Sequence, residues 1–256
     1  MTKTTPMTVE QTADLLADIQ QRLWAGKVAI LTGAGISAES GVATYRDHDT
    51  RDLAATPLWD RVDPREMATL RAFRKNRNKV NRWYMRRVRE MRAAQPNAAH
   101  HIIQALAACN PELTVYTQNV DGLHERTGTD ARRLHGSVQH YRCRCGHKGA
   151  VPALETMTTP WPYCESCGSS RTRPDVVWFG EALPEDVLDD AITDFYNADL
   201  KLVVGTSAVV RPVSGLPLLG HGLVVEINPE ETAITPYCDL RIRGIASAGL
   251  NRLIRD

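Results

Sequence analysis

The stretch LTGAGISAESGVATYRD, Leu31 to Asp47, decides how the chain is read. It continues KVAIL, Lys27 to Leu31, a β-rich apolar run of the kind that forms a buried parallel strand. Before it, Val9 to Trp24 carries Val9, Ala13, Leu16 and Leu23 at helical spacing, with Gly26 as the stop. Gly33-x-Gly35-x-x-Ala38 then fits the dinucleotide fingerprint in its G-x-G-x-x-A form. The first glycine permits a tight turn, the second lets backbone approach a pyrophosphate, and the small third residue lets helix pack on strand. The following helix is expected to aim its free N–H groups and positive dipole end at phosphate. One part of the usual unit is missing: no second strand ends in an acid about 20 residues on. The segment there, DHDTRDLAATPLW (Asp47 to Trp59), is not strand-like, so the adenosine ribose must be held elsewhere, with Asn228 and Glu230 as candidates.

Further runs resemble KVAIL. They are LTVYT (Leu113 to Thr117), LKLVVG (Leu200 to Gly205) and LVVEIN (Leu223 to Asn228), with helical patterns at His100 to Ala108 and Pro184 to Tyr196. Strands alternating with helices predict a parallel α/β sheet, whose ligands bind beyond the carboxyl ends of the strands. The residues after the four runs are TGAGIS, QNVDGLH, TSAVV and NPEE. Any one polar loop is unremarkable, but four sets of small, amide, hydroxyl and carboxylate residues point to one shared crevice.

The 256 residues suffice for one large core and a small satellite domain. With 31 Lys and Arg against 30 Asp and Glu, net charge selects no nucleic-acid partner. No apolar run approaches the ~20 residues that cross a bilayer, and MTKTTPMTVEQTADLL lacks the apolar region of a secretion signal. A cytoplasmic, reducing setting is expected, where six cysteines suggest metal ligands or free thiols. Cys143-x-Cys145 and Cys164-x-x-Cys167, 18 residues apart, suit a closed, structural tetrahedral Zn²⁺ site, with His147 as an alternate ligand. Cys109 and Cys238 read as core residues. His135, in RRLHGS, follows TQNVDGLH with its Gln118, Asn119 and Asp121, and a neutral imidazole suits a general base near neutral pH.

Together these residues resemble the sirtuin family of NAD-dependent protein-lysine deacylases. The likeness runs through GAGISAESG, TQNVDGLHERTG, LHGS, RPDVVWFGE, GTSAVVRP, VEINPEE and RIRG in the family's order. It implies a Rossmann-like NAD-binding domain (residues 1–46, 95–140 and 172–256) and a small domain (47–94 and 141–171) built from a helical and a zinc module. NAD would contact Gly33, Ala34, Gly35, Ile36, Tyr45 and Arg46 at the cofactor turn. Gln118, Asn119, Val120 and Asp121 would form the nicotinamide end, and Gly205, Thr206 and Ser207 the phosphate or ribose contacts. Asn228, Pro229, Glu230 and Ala246 would lie at the adenosine end. An acyl-lysine peptide would pair as an added strand with Val177, Phe179 and Gly180. The implied products are nicotinamide, O-acyl-ADP-ribose and free lysine, with His135 as the base on a ribose hydroxyl.

Tyr84 and Arg87 in RWYMRR are three apart, so they share a helix face. Because Arg71 to Arg92 holds ten basic residues and one acid, an arginine here also fits a solvated basic helix or a groove for acidic partners. The pair nevertheless resembles that of sirtuins preferring succinyl- and malonyl-lysine, and Ala68 matches the small residue that widens their acyl pocket. A guanidinium binds a terminal carboxylate in bidentate fashion. The expectation is a desuccinylase or demalonylase with some deacetylase activity. The segment after Arg46 is about seven residues longer than the family's usual loop and has no glycine. Rival readings are an NAD-dependent mono-ADP-ribosyltransferase on the same scaffold, and a non-enzymatic NAD-sensing or DNA-associated module.

Overall fold

In the computed structural model, residues 9–44, 62–159 and 161–255 are described. Helix α1 (Val9–Ala25) leads into β1 (Val28–Thr32), which is buried along its whole length. A strand buried on both faces reads as a near-continuous apolar run, and the period of two divides its side chains between layers. Val28 and Ile30 enter one core with Ile19 and Leu23 of α1, whereas Ala29 and Leu31 enter a second core on the other face. After α2 (Ala34–Ala38) the described residues next form three helices, α3 (Pro64–Met67), α4 (Leu70–Lys75) and α5 (Arg77–Ala93). The chain returns through α6 (Ala98–Cys109), whose Ala99, Ile103 and Leu106 join the first core, to β2 (Leu113–Thr117). Then follow α7 (Leu123–Arg126), β3 (Ala131–Arg133), β4 (Gly136–Cys143), β5 (Lys148–Ala150) and β6 (Thr172–Val176). The last elements are α8 (Glu185–Asn197), β7 (Leu200–Val204), β8 (Leu223–Ile227), β9 (Leu240–Ile242) and α9 (Ala246–Arg255).

Six strands form one sheet in the order β3-β2-β1-β7-β8-β9, with every pairing parallel. Helices α1, α6 and α9 cover one face, and α8 with the 3₁₀ turn Val213–Leu218 covers the other. From β1 the chain builds outward to β2 and β3, then returns to lay β7 against β1's opposite edge. That reversal is a topological switch point, where the loops after two adjacent strands diverge and open a crevice.

The remaining strands make a separate antiparallel sheet, β5-β4-β6. It shares a core with the helical segment: Val80, Tyr84, Val88 and Met91 of α5 pack with Val138, Tyr141, Val176 and Trp178. The helical and cysteine-bearing segments, far apart in sequence, thus form one lobe beside the crevice. Among the described residues no helix is long and apolar enough to cross a membrane.

Candidate active site

The loop after β1 and the loop after β7 are locked together by backbone. Gly33 N–H donates to Val204 O (3.0 Å) and Gly35 N–H to Gly205 O (2.7 Å). A Cβ on Gly33 would stand 2.6 Å from Thr206 Cβ, and one on Gly35 would stand 2.8 Å from Gly205 Cα. Gly205, at φ +63, would itself press a Cβ to 2.5 Å from Ile36 N. The second glycine of the fingerprint is therefore required by the neighbouring strand's turn. The expected reason was open approach to a pyrophosphate. The helix that follows, α2, is only five residues long, so its dipole is short.

Two more strand ends, those of β2 and β8, converge here. Gln118 Nε2 donates to Thr206 Oγ1 (2.9 Å), and Asn228 Nδ2 donates to Thr206 O (3.0 Å). Asn119 Nδ2 donates to Gly33 O (3.0 Å) and to Ser37 Oγ (3.1 Å), and Ser37 Oγ donates to Asp121 Oδ2 (2.8 Å). Leu123 N–H donates to the other Asp121 oxygen at 2.9 Å. Burial pushes the Asp121 carboxyl above its ordinary value, while the Leu123 amide and Ser37 hydroxyl pull it back. Ser37 was not singled out in the sequence, where it is one more small residue of the fingerprint; its bridging place shows only in three dimensions.

His135 stands at the start of β4, half-buried, with Nδ1 3.0 Å from Gln118 O. A carbonyl can only accept, so Nδ1 carries the proton and Nε2 keeps its lone pair. Burial lowers the imidazole's pKa, partly offset by the Gln118 carbonyl. A neutral, tautomer-fixed ring is what a general base requires.

Asn228 is buried, and its Oδ1 accepts from Glu230 N (3.1 Å), turning the exposed Pro229 and Glu230 away from β8. Ser207 is exposed beside buried Thr206. Ala246 begins α9, where Glu39 accepts from the Ser247 amide (3.0 Å) and hydroxyl, tying that helix to the turn after α2. Tyr45, Arg46 and the Asp47 to Trp59 segment lie outside the described residues.

The lobe's contribution centres on Trp178. Its Nε1 donates to Tyr84 Oη (2.8 Å), Phe73 packs 5.3 Å away, and the Arg173 guanidinium stacks 4.0 Å over its ring. Val177 N–H donates to His135 O and Phe179 N–H to Ala68 O, both at 2.9 Å. These bonds bring buried Ala68 beside the 177–180 segment. They also commit the two amides, so a peptide strand expected at Val177 and Phe179 finds carbonyls there. Gly180, φ +84, is exposed.

Arg87 is buried yet incompletely paired. Nη1 meets Glu90 Oε2 at 2.6 Å, whereas Nε and Nη2 are buried with no hydrogen-bond partner among the described residues. A buried donor left unsatisfied costs about 1–3 kcal/mol, so this edge of the guanidinium is suited to an acceptor. Arg87 lines a small cavity with Ala34, Ser37, Val42, Asn119, Val120 and Asp121, which places it against the strand-end cluster. Tyr84 does not line that cavity; it faces Trp178.

The Cys143, Cys145, Cys164 and Cys167 sulfurs all lie within 4.8 Å of one another, with contacts of 3.7 Å (143 to 167) and 3.6 Å (145 to 164). A tetrahedral Zn²⁺ with Zn–S bonds of ~2.3 Å spaces its sulfurs ~3.8 Å apart, so the set fits. His147 is not in the cluster. Cys109 corrects an expectation: it is exposed, on the stripe of α6 that carries exposed His101 and Ala105, while Cys238 is half-buried against Val203 and Ile234.

The Sir2 family profile matches residues 33–212, spanning the glycine turn, the His135 strand, the cysteine lobe and the Thr206 turn. This chain is a member of the Sir2, or sirtuin, family. Curated sirtuin relatives include NAD-dependent protein deacylase 1 of Archaeoglobus fulgidus, 44% identical over 88% of this chain and 90% of that protein. The NAD-dependent protein deacylase of Mycobacterium tuberculosis is 42% identical over 89% of this chain and 96% of that one. Among solved sirtuin structures, a Sir2 homolog–NAD complex superposes with TM-score 0.80 at 42% identity, covering 95% and 92% of the two chains. A Sir2–p53 peptide–NAD⁺ complex superposes with TM-score 0.77 at 30% identity, covering 97% and 98%.

Proposed function

We propose that this sirtuin removes acyl groups from protein lysines at the expense of NAD, with a preference for acyl groups that end in a carboxylate. It is an NAD-dependent protein deacylase, as the Sir2 membership and the relatives at 40–44% identity establish. NAD, when bound, supplies an electrophilic ribose carbon and a nicotinamide leaving group. In this reading the locked turns of Gly33–Ile36 and Gly205–Ser207 hold the cofactor's phosphates and ribose. Gln118, Asn119, Val120 and Asp121 orient the nicotinamide, and Asn228 to Glu230 with Ala246 take the adenosine. His135 Nε2 removes the proton of a ribose hydroxyl, with Nδ1 tethered to Gln118. Catalysis by alignment of bound groups is worth up to ~7–11 kcal/mol, which suits a site of turns and amides with one base. The four cysteines hold a structural zinc whose closed sulfur set leaves no coordination position for substrate.

The acyl preference rests on one observation: the Arg87 guanidinium is buried with Nε and Nη2 unpaired. Those two N–H groups form one edge of the planar fork, the arrangement that meets both oxygens of a carboxylate. A succinyl or malonyl chain supplies that carboxylate; an acetyl group does not. In this reading Ala68 and Tyr84 of the same lobe flank the acyl chain, Tyr84 by turning its hydroxyl from Trp178 toward Arg87 when the chain is bound. The test is turnover with NAD on matched acetyl-, malonyl- and succinyl-lysine peptides, with products identified by mass. Faster succinyl or malonyl turnover with O-acyl-ADP-ribose and free lysine is expected. Equal or faster acetyl turnover refutes the preference, and an ADP-ribosylated protein product refutes the deacylase assignment.

A further inference from the structure

Glu90 is the only acid between Arg71 and Arg92, among ten basic residues. It stands in the last turn of α5, where the helix dipole disfavours negative charge. Among the described residues its side chain pairs with Arg87 Nη1, at 2.6 Å. The two side chains differ sharply in environment, Arg87 being 5% exposed and Glu90 57%. Glu90 thus reaches inward from the surface and takes one arm of the fork, leaving the Nε–Nη2 edge unpaired.

We infer that Glu90 is a specificity-setting counter-charge, which weakens the hold of Arg87 on carboxylate-ending acyl groups. A carboxylate on the Nε–Nη2 edge would lie about 6–7 Å from that of Glu90, close enough for like-charge repulsion to cost severalfold in affinity even after solvent screening. An acetyl group carries no charge and does not meet this repulsion. Glu90 thus offsets part of the Arg87 charge in the empty pocket, alongside the buried Asp121 that lines the same cavity. The inference rests on the reading that Arg87 receives the acyl carboxylate.

Glu90→Gln separates the charge from the hydrogen bond, since the amide oxygen can still accept from Nη1. With NAD saturating, the full-length enzyme and this variant are compared on succinyl- and acetyl-lysine peptides at low and high salt. The expected result is a succinyl KM about threefold to tenfold lower, with kcat little changed. The succinyl-to-acetyl ratio of kcat/KM rises by the same factor, and the gain shrinks as salt is added. An unchanged or lower ratio overturns the inference. Thermal denaturation of the variant shows that the fold is intact. Wild-type enzyme that turns over succinyl-peptide no better than acetyl-peptide refutes the acyl reading itself and the inference with it. A clear wild-type succinyl preference with an inert Glu90→Gln refutes the inference alone.

Discussion

Arg87→Met tests the acyl reading in two independent observables. Methionine has similar length and no donors, so it removes the fork without leaving a large void. A hydrogen bond to a charged group contributes about 1.5–3 kcal/mol. Loss of the two carboxylate bonds at Nε and Nη2 then removes about 3–4 kcal/mol of succinyl-peptide binding, after allowance for water replacing part of it. At ~1.4 kcal/mol per tenfold, succinyl kcat/KM falls about 10²–10³-fold. Acetyl turnover changes less than about threefold, because no acetyl atom needs the guanidinium. Stability moves the other way. Two buried, unpaired donors are eliminated, and the pair with Glu90, whose carboxylate is 57% exposed, was worth under about 1 kcal/mol. A net gain of about 1–2 kcal/mol follows, raising Tm by a few degrees. The assay pairs steady-state kinetics on both peptides with a thermal melt of ligand-free enzyme. Equal loss on both peptides, or a fall in Tm with retained succinyl turnover, defeats the argument.

His135→Ala should abolish deacylation while leaving the fold intact. In the wild type, the acid limb of kcat/KM should lie below pH 6.5, because burial keeps the imidazole neutral to lower pH. His100 and His124 pack edge to face at 4.9 Å, and burial lowers their pKa values to about 4 and about 3. Both are depressed below the unfolded value, so their stability is full above pH ~6.5 and lost as pH falls toward 4, by ~2 kcal/mol each at pH 5; urea titrations across pH 5–8 should show this. Zinc analysis should find one ion per chain, and a chelator that removes it should lower Tm and activity together, because β4 runs from beside His135 to Cys143 and pairs with β6, which leads to Trp178. Gly205→Ala should raise the KM for NAD tenfold or more, since its Cβ would stand 2.5 Å from Ile36 N at a positive φ; an unchanged KM would show the turn to be plastic.

The parallel sheet was legible because strands buried on both faces are continuous apolar runs; LTVYT coincides with β2, and the others begin or end within a residue of their strands. The second sheet was not. Its strands GSVQHYRC and TRPDV are mostly polar and one contains Pro174; Val138, Tyr141 and Val176 supply the face that packs on α5, and the register shift between Ser137 and Tyr141 breaks a simple alternation. The cysteine spacing announced a metal site but not the sheet that presents it. At the crevice the strand-end residues were legible individually, while their contacts were not. Nothing in a linear pattern says that Ser37 bridges Asn119 and Asp121, or that His135 Nδ1 meets Gln118 O. The exposure of Cys109 follows the stripe of exposed His101 and Ala105, although three residues past buried Leu106 it also borders the buried face, so the helical period alone did not decide it.

The division between the large sheet and the other lobe suggests how chemistry and acyl choice divide in the proposed reading. The cofactor cradle and Gln118 hang from strands packed in the large sheet's cores, so their positions are set by backbone pairing along β1, β2 and β7. Tyr84, Arg87 and Glu90 hang from α5, which packs in the other lobe's core. A substitution on the outer turns of α5 can alter the charge presented to the acyl end without moving a strand. His135 sits at the seam, its carbonyl bonded to Val177 N and its ring to Gln118 O. In the proposed reading the lobe that chooses the acyl group is thus tied to the sheet that aligns the sugar through this residue, and also through the Val138 N–H bond to Val120 O (3.1 Å). This architecture predicts that changes at 84, 87 and 90 act through KM for particular acyl groups, whereas changes at 118, 119 and 135 act through kcat for all of them.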